Sequence, residues 1–299
     1  MSVSTAVRGT PAPAKESRRT WGPMRMILGP VEGKIGAAIL LVFTIGIVIG
    51  PWVAPYSPTA LGVGSPSANP TAAHLLGTDE LGRDVLSRLL TGGRSIVVVP
   101  IVATLCAFIV GGGLGMFAGY TEGRIDAVVT RVTDVLLAVP PLLMVLVIIA
   151  TFGSSASVLI VSVMLVYIPQ ITRVMRGATQ AVSRRDYVLA AQARGEPGMS
   201  VIGREILPTI AAPVLVEFAL RLTWVIIFVA TLTFLGLGVQ PPSSNWALMV
   251  SESRTIITLA PLAALAPALA IGVLSVGVNM VADAVIQTSG GQRLREFVR

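Results

Sequence analysis

The chain has 299 residues, of which 54% are hydrophobic and only 12% charged, with a formal net charge of +7. Soluble domains carry about 25% charged residues, and the apolar residues here fall in long runs, so the class is an all-α polytopic membrane protein rather than a soluble domain. The alternating ~10-residue segments of a closed membrane barrel are not present.

A single cysteine, Cys106, excludes an internal disulfide and a thiolate metal cluster. A single histidine, His74, excludes His-based zinc sites and most His-dependent catalysis. The basic excess reads as cytoplasmic loops rich in Lys and Arg. No basic stretch is interleaved with aromatics as single-strand nucleic-acid binders require, so no nucleic-acid partner is expected.

Residues 1–30 are polar, basic and broken by prolines, and are expected to form a flexible cytoplasmic N-terminus. The apolar run from Ile35 to Val53 is longer than a signal-peptide core and reads as a retained first span. A Pro/Ser/Gly-rich loop follows, and Thr78 to Leu90 has an amphipathic pattern, with Asp79, Arg83 and Asp84 on its polar side. That pattern predicts a helix lying at the membrane interface, so that residues 31–94 form the first span with its extracytoplasmic loop.

Residues 95–287 are expected to form a transmembrane core of five further helices. The second span, Ser95 to Tyr120, carries Gly111, Gly115 and Gly119 on one face. Such a face lets helix backbones touch, and packing within the chain is favoured over a dimerisation motif. Thr121 to Arg131 reads as a charged turn. The third helix then runs through Asp134 and the pair Pro140–Pro141, which predicts a kink. Asp134 is expected to cap the helix or pair with Arg131; as an intramembrane carboxylate it is also a functional suspect.

The fourth span centres on Ser157 to Ile171 and extends through Arg173 and Arg176. The fifth runs from Pro213 to Leu237, with Glu217 and Arg221 at i, i+4 spacing and able to pair. A loop from Gly238 to Thr258 contains Trp246, a residue suited to a membrane interface. The sixth span, Leu259 to Ile286, ends with Asn279 and Asp283, and residues 288–299 form a basic tail. Six spans and the distribution of Lys and Arg place both termini in the cytoplasm.

The longest polar interruption is residues 183–209, SRRDYVLAAQARGEPGMSVIGREILPT. Tyr187 to Arg194 favours a helix that small Ala190 and Ala191 keep thin, and Gly195 suits the left-handed turn that ends it. Pro197 suits the first turn of a second helix, and Pro208 is expected to stop that helix. The pattern predicts a short, stiff, basic docking element on the cytoplasmic side.

Three stretches resemble one family. His74 to Arg94 (HLLGTDELGRDVLSRLLTGGR) and Thr233 to Glu252 (TFLGLGVQPPSSNWALMVSE) are similar to segments of peptide importer permeases. The alanine pair, Gly195 and Pro208 resemble the "EAA" loop of binding-protein-dependent ABC importers. The resemblance implies a MetI-like type I ABC importer permease, the C-type subunit of a dipeptide or oligopeptide system in the bacterial inner (plasma) membrane. Nickel, glutathione and other small solutes are the alternatives within the family, and an ATPase-independent secondary transporter is the alternative outside it.

The implied partners are a homologous B-type permease, two ATP-binding domains or subunits, an extracytoplasmic peptide-binding protein and the lipid bilayer. ATP and Mg are expected on the ATPases, not on this chain, which carries no phosphate-loop GxxxxGK[ST] motif and is expected to have no catalytic or metal site. Coupling to the ATPase is assigned by the resemblance to Tyr187, Ala190, Ala191, Arg194, Gly195 and Pro208. The family's loop glutamate is replaced by Leu189 here, so coupling is expected to rest on shape, with Glu196 as a candidate substitute carboxylate.

Overall fold

The computed structural model describes the backbone of residues 28–297 and the side chains of residues 28–288. The predicted flexible segment therefore lies mostly outside the described residues. The chain is all-helical. Among the described residues, α1 (Val31–Val53), α2 (Val85–Thr121), α5 (Ala156–Ser183), α7 (Gly198–Phe234) and α9 (Pro261–Phe297) are each long and apolar enough to cross a membrane. A bent pair, α3 (Gly123–Ala138) and α4 (Pro141–Phe152), makes a sixth span when taken as one. Two short helices lie between spans, α6 (Asp186–Ala193) before α7 and α8 (Trp246–Ser253) before α9.

Following the chain, α1 starts at what we call the near end of the bundle and stops at the far end. The α2–α3 and α5–α7 connections are then at the near end, and the α1–α2 and α7–α9 connections at the far end.

The glycine face of α2 packs within the chain. A Cβ at Gly111, Gly115 or Gly119 would lie 2.8, 2.5 or 2.6 Å from the carbonyl oxygens of Ile168, Thr172 and Arg176. Those carbonyls step along α5 one turn at a time, so the two backbones touch over two turns, as small-residue faces permit. A π-helical turn at Phe108–Gly112 widens α2 where this contact begins. The same device joins α1 to α9, where a Cβ on Gly36 would meet the Gly277 carbonyl at 2.8 Å.

Several expectations are corrected. Thr78 to Asp84 is not helical; the helix starts at Val85, and Asp84 caps it by accepting from the Ser87 backbone N–H at 2.8 Å. The presumed polar face is buried instead: Asp79, Arg83 and Asp84 are each at most 3% exposed. The charged stretch after Thr121 is not a long turn. The chain reverses at Glu122 and Gly123, both at positive φ, and Arg124 to Arg131 are already helical. The prolines do kink the next span, by 85° between α3 and α4.

Pro208 does not stop its helix. A π-helical turn at Ile202–Ile206 immediately precedes it, and the helix runs on to Phe234. Widening the turn displaces the carbonyl that a proline ring would strike, so the residue is absorbed. Finally, α9 is helical through Phe297, so the last span continues into the predicted tail.

Candidate functional site

The polar structure gathers in three places. The first is the near-end loop 183–209. Its first arm is α6, whose Val188 and Ala191 are fully buried while Leu189 is 49% exposed and Ala190 faces outward. The arm ends as Gly195 takes φ +75°, with its N–H bonded to the Gln192 carbonyl at 2.9 Å. A Cβ at Gly195 would meet nothing within 4 Å, so glycine is needed there for its backbone angle and not for space.

The second arm is the start of α7. Val201, Ile202 and Ile206 are buried in the same core cluster as Val188 and Ala191. The Tyr187 hydroxyl donates to Thr209 Oγ1 at 3.2 Å and ties the two arms together. Pro208 is exposed beside that bond. Arg194 pairs with Glu196 at 2.6 Å, so both charges are already partnered locally. Met199, 71% exposed, adds a second exposed apolar side chain to the loop, on the arm opposite Leu189. The loop is held to neighbouring spans by Arg184, which pairs with Glu122 at 3.2 Å, and by Gly198, which abuts the Tyr120 ring.

The second place is the far end. Asp79 Oδ2 accepts from Arg83 Nε and Arg88 Nη1, both at 2.6 Å. Glu252 Oε2 accepts from Arg83 Nη2 at 2.8 Å and forms an ion pair with Arg88 Nη2, also at 2.8 Å. The four side chains form a closed ring of alternating charge, with Arg88 fully buried. Beside it, His74 Nδ1 lies 2.9 Å from Asp84 Oδ1. Trp246 is buried too, not interfacial: its Nε1–H donates to the Leu89 carbonyl at 2.7 Å. Asn245 caps α8 through the Ala247 N–H at 2.9 Å and reaches Ser95 Oγ at 2.9 Å. The two stretches that carry the family resemblance, far apart in sequence, thus form one plate.

The third place lies inside the spans. Arg221 Nε donates to Glu217 Oε1 at 2.6 Å, as the i, i+4 spacing predicts, and Arg221 Nη1 also donates to Gln170 Oε1 on α5. Asp134 does not pair with Arg131; its Oδ1 accepts from Arg173 Nη2 at 2.6 Å, across to α5. Asp126 likewise pairs with Arg176 of α5. Asn279 and Asp283 are both exposed. Reading the sequence paired acids with bases on their own helix; the partners on α5 carry no local signal and emerge only from the fold.

The described residues thus form a bundle of five spans, or six with the bent pair, whose polar structure lies at the two ends and in a few interhelical pairs. The chain belongs to the family of binding-protein-dependent transport system inner membrane components, whose profile matches residues 111–289. It is therefore a non-catalytic, multi-pass inner-membrane permease component. It is similar to the glutathione transport system permease protein GsiD of Pectobacterium atrosepticum, 37% identical over 72% of this chain and 71% of the relative. It is also similar to the probable D,D-dipeptide transport system permease protein DdpC of Escherichia coli, 32% identical over 87% of each chain. The di/tripeptide transport system permease protein DppC of Pseudomonas aeruginosa is 32% identical over 91% of this chain and 90% of its own.

Proposed function

We propose that this chain is half of the translocation pathway of an ATP-driven importer of small peptides, dipeptides and oligopeptides or glutathione-like molecules. A homologous permease supplies the other half, two ATP-binding subunits drive the cycle from the near end, and an extracytoplasmic binding protein delivers substrate to the far end. Both termini and the near end are cytoplasmic. The names of three similar permeases support the substrate class, since all three refer to peptides or glutathione.

We assign coupling to the loop 183–209, with Tyr187, Ala190, Ala191, Arg194, Gly195 and Pro208 forming or supporting the docking surface. One observation carries this reading. The second arm of the loop is not a separate knob but the first turns of a helix that runs unbroken from Gly198 to Phe234. A push on that arm moves a spanning helix directly. Leu189, in place of a glutamate, is half exposed on the first arm, and Glu196 is held by Arg194, so docking here rests on shape and apolar contact.

The test is uptake of a labelled dipeptide by cells deleted for their peptide permeases, with the partner subunits supplied and this chain present or omitted. Uptake that requires both this chain and a working ATPase supports the proposal. Uptake that persists with the ATPase inactivated would favour a secondary transporter.

A further inference from the structure

Helix α5 changes character half-way along. On one face, Leu159, Val163 and Val166 are buried, each at most 5% exposed. They join Val225, Val229 and Leu232 of α7 in one core cluster, and Tyr167 meets Phe228 edge-on at 6.0 Å. The next positions on that same face, at i, i+3, i+7 and i+14, are Gln170, Arg173, Gly177 and Arg184. This half is open: the Arg173 and Arg184 side chains are 61% and 77% exposed. A polar track therefore descends along this face of α5 to the near end.

The Gln170–Arg221–Glu217 cluster stands at the head of that track. Arg221 is half-way between Leu207 and Phe234, and Gln170 is half-way along α5, so the cluster lies within the two spans. Charges at that depth face protein or a water-filled cavity and not lipid, because hydrocarbon cannot solvate them. The cluster is also incomplete. Arg221 uses Nε and Nη1, and Glu217 uses Oε1. Among the described residues no partner engages Arg221 Nη2 or Glu217 Oε2, and the two side chains keep 22% and 16% exposure.

We propose that Arg221 and Glu217 form a transient binding point within the spans for the charged termini of a peptide. The guanidinium takes the carboxylate, Glu217 takes the ammonium, and Gln170, Arg173 and Gly177 line the exit toward the cytoplasm. A free peptide carries one charge of each sign, and this partly exposed pair offers one unengaged group of each sign. The pair cancels its own charge while empty, so the cluster tolerates both the loaded and the unloaded state. The inference rests on the peptide-permease reading above.

The experiment uses the complete transporter in proteoliposomes, with Cys106→Ala as background. A membrane-impermeant maleimide applied from the cytoplasmic side is expected to label Gly177→Cys at least tenfold faster than Leu269→Cys, a position on an apolar, exposed face of α9. The paired variant Arg221→Gln/Glu217→Gln keeps the site neutral and hydrogen-bonded. It is expected to lower dialanine uptake at least tenfold while binding-protein-stimulated ATP hydrolysis persists.

Equal labelling of the two cysteines would overturn the track and make this face a contact with lipid or the partner permease. Uptake by the paired variant at the unmodified rate would overturn the binding point. Failure of the unmodified transporter to take up dialanine would instead count against the peptide reading. The labelling arm needs no substrate and still decides the track.

Discussion

The far-end ring makes a quantitative prediction about Arg88. Replacing it with methionine keeps most of the side-chain volume but leaves Asp79 and Glu252 sharing one guanidinium, that of Arg83. The site would then hold an uncompensated negative charge next to a fully buried position. Breaking a buried pair from one side costs about 3–5 kcal/mol. One term works the other way. Arg88 Nε is buried with no hydrogen-bond partner, and removing it relieves an unsatisfied donor worth roughly 1–3 kcal/mol. The low end of the range is therefore expected, about 3 kcal/mol.

Adding Glu252→Gln to Arg88→Met restores neutrality, because Asp79 and Arg83 remain as a complete pair. The double variant should be at least about 1.5 kcal/mol more stable than the sum of the two single changes implies, within the usual span of coupling between contacting residues. Denaturant melts of the purified chain in bicelles, followed by helical circular dichroism, measure this. A single variant within about 1 kcal/mol of the parent, or a strictly additive double variant, would refute the charge-balance reasoning.

Gly195→Val should insert and fold, since a side chain there meets open space. The valine must nevertheless leave φ +75° or bear at least ~1–2 kcal/mol of left-handed strain. Peptide uptake per ATP hydrolysed should fall several-fold, measured in proteoliposomes, and normal coupling would count against the loop as transmitter. Gly115→Leu should destabilise the chain by about 1–3 kcal/mol or more, because its Cβ alone would lie 2.5 Å from the Thr172 carbonyl. Gly113→Leu, two residues away with nothing within 4 Å, should leave the melting temperature nearly unchanged, and equal effects of the two would refute intrachain packing of this face.

The spans were legible in the sequence because hydropathy over about 20 residues needs no knowledge of partners. Gly195 and the glycine face of α2 were legible for a related reason: each is a local backbone requirement. What escaped was pairing. Asp79, Arg83 and Asp84 have the pattern of a solvated helix face, and nothing local reveals that Glu252, 169 residues beyond Arg83, closes the ring. Trp246 reads as interfacial for the same reason, since its indole partner is a carbonyl on α2. Asp134 has a base three residues away but uses one 39 residues away. Pro208 misleads differently: the π turn that absorbs it has no sequence signature strong enough to outweigh a proline's ordinary effect.

The two ends are joined by one rigid part, and its length matters for the proposed coupling. At 1.5 Å per residue, α7 is about 55 Å long. Its far end is anchored, since the Ser251 hydroxyl of α8 donates to the Phe234 carbonyl at 2.8 Å and α8 is pinned to α2 through Trp246. Tilting such a rod by about 5° around that anchor moves its near end by roughly 5 Å, one helical turn. The weak points of the rod are the π turn at Ile202–Ile206 and Pro213, both in its near half. The π turn is the better braced of the two, with Ile202, Ile206 and Ile210 buried in the core cluster that also holds α6. A force on the loop therefore passes through the π turn as on a solid joint. It reaches the part of α7 beside Gln170, where the Arg221–Gln170 contact joins α7 to α5.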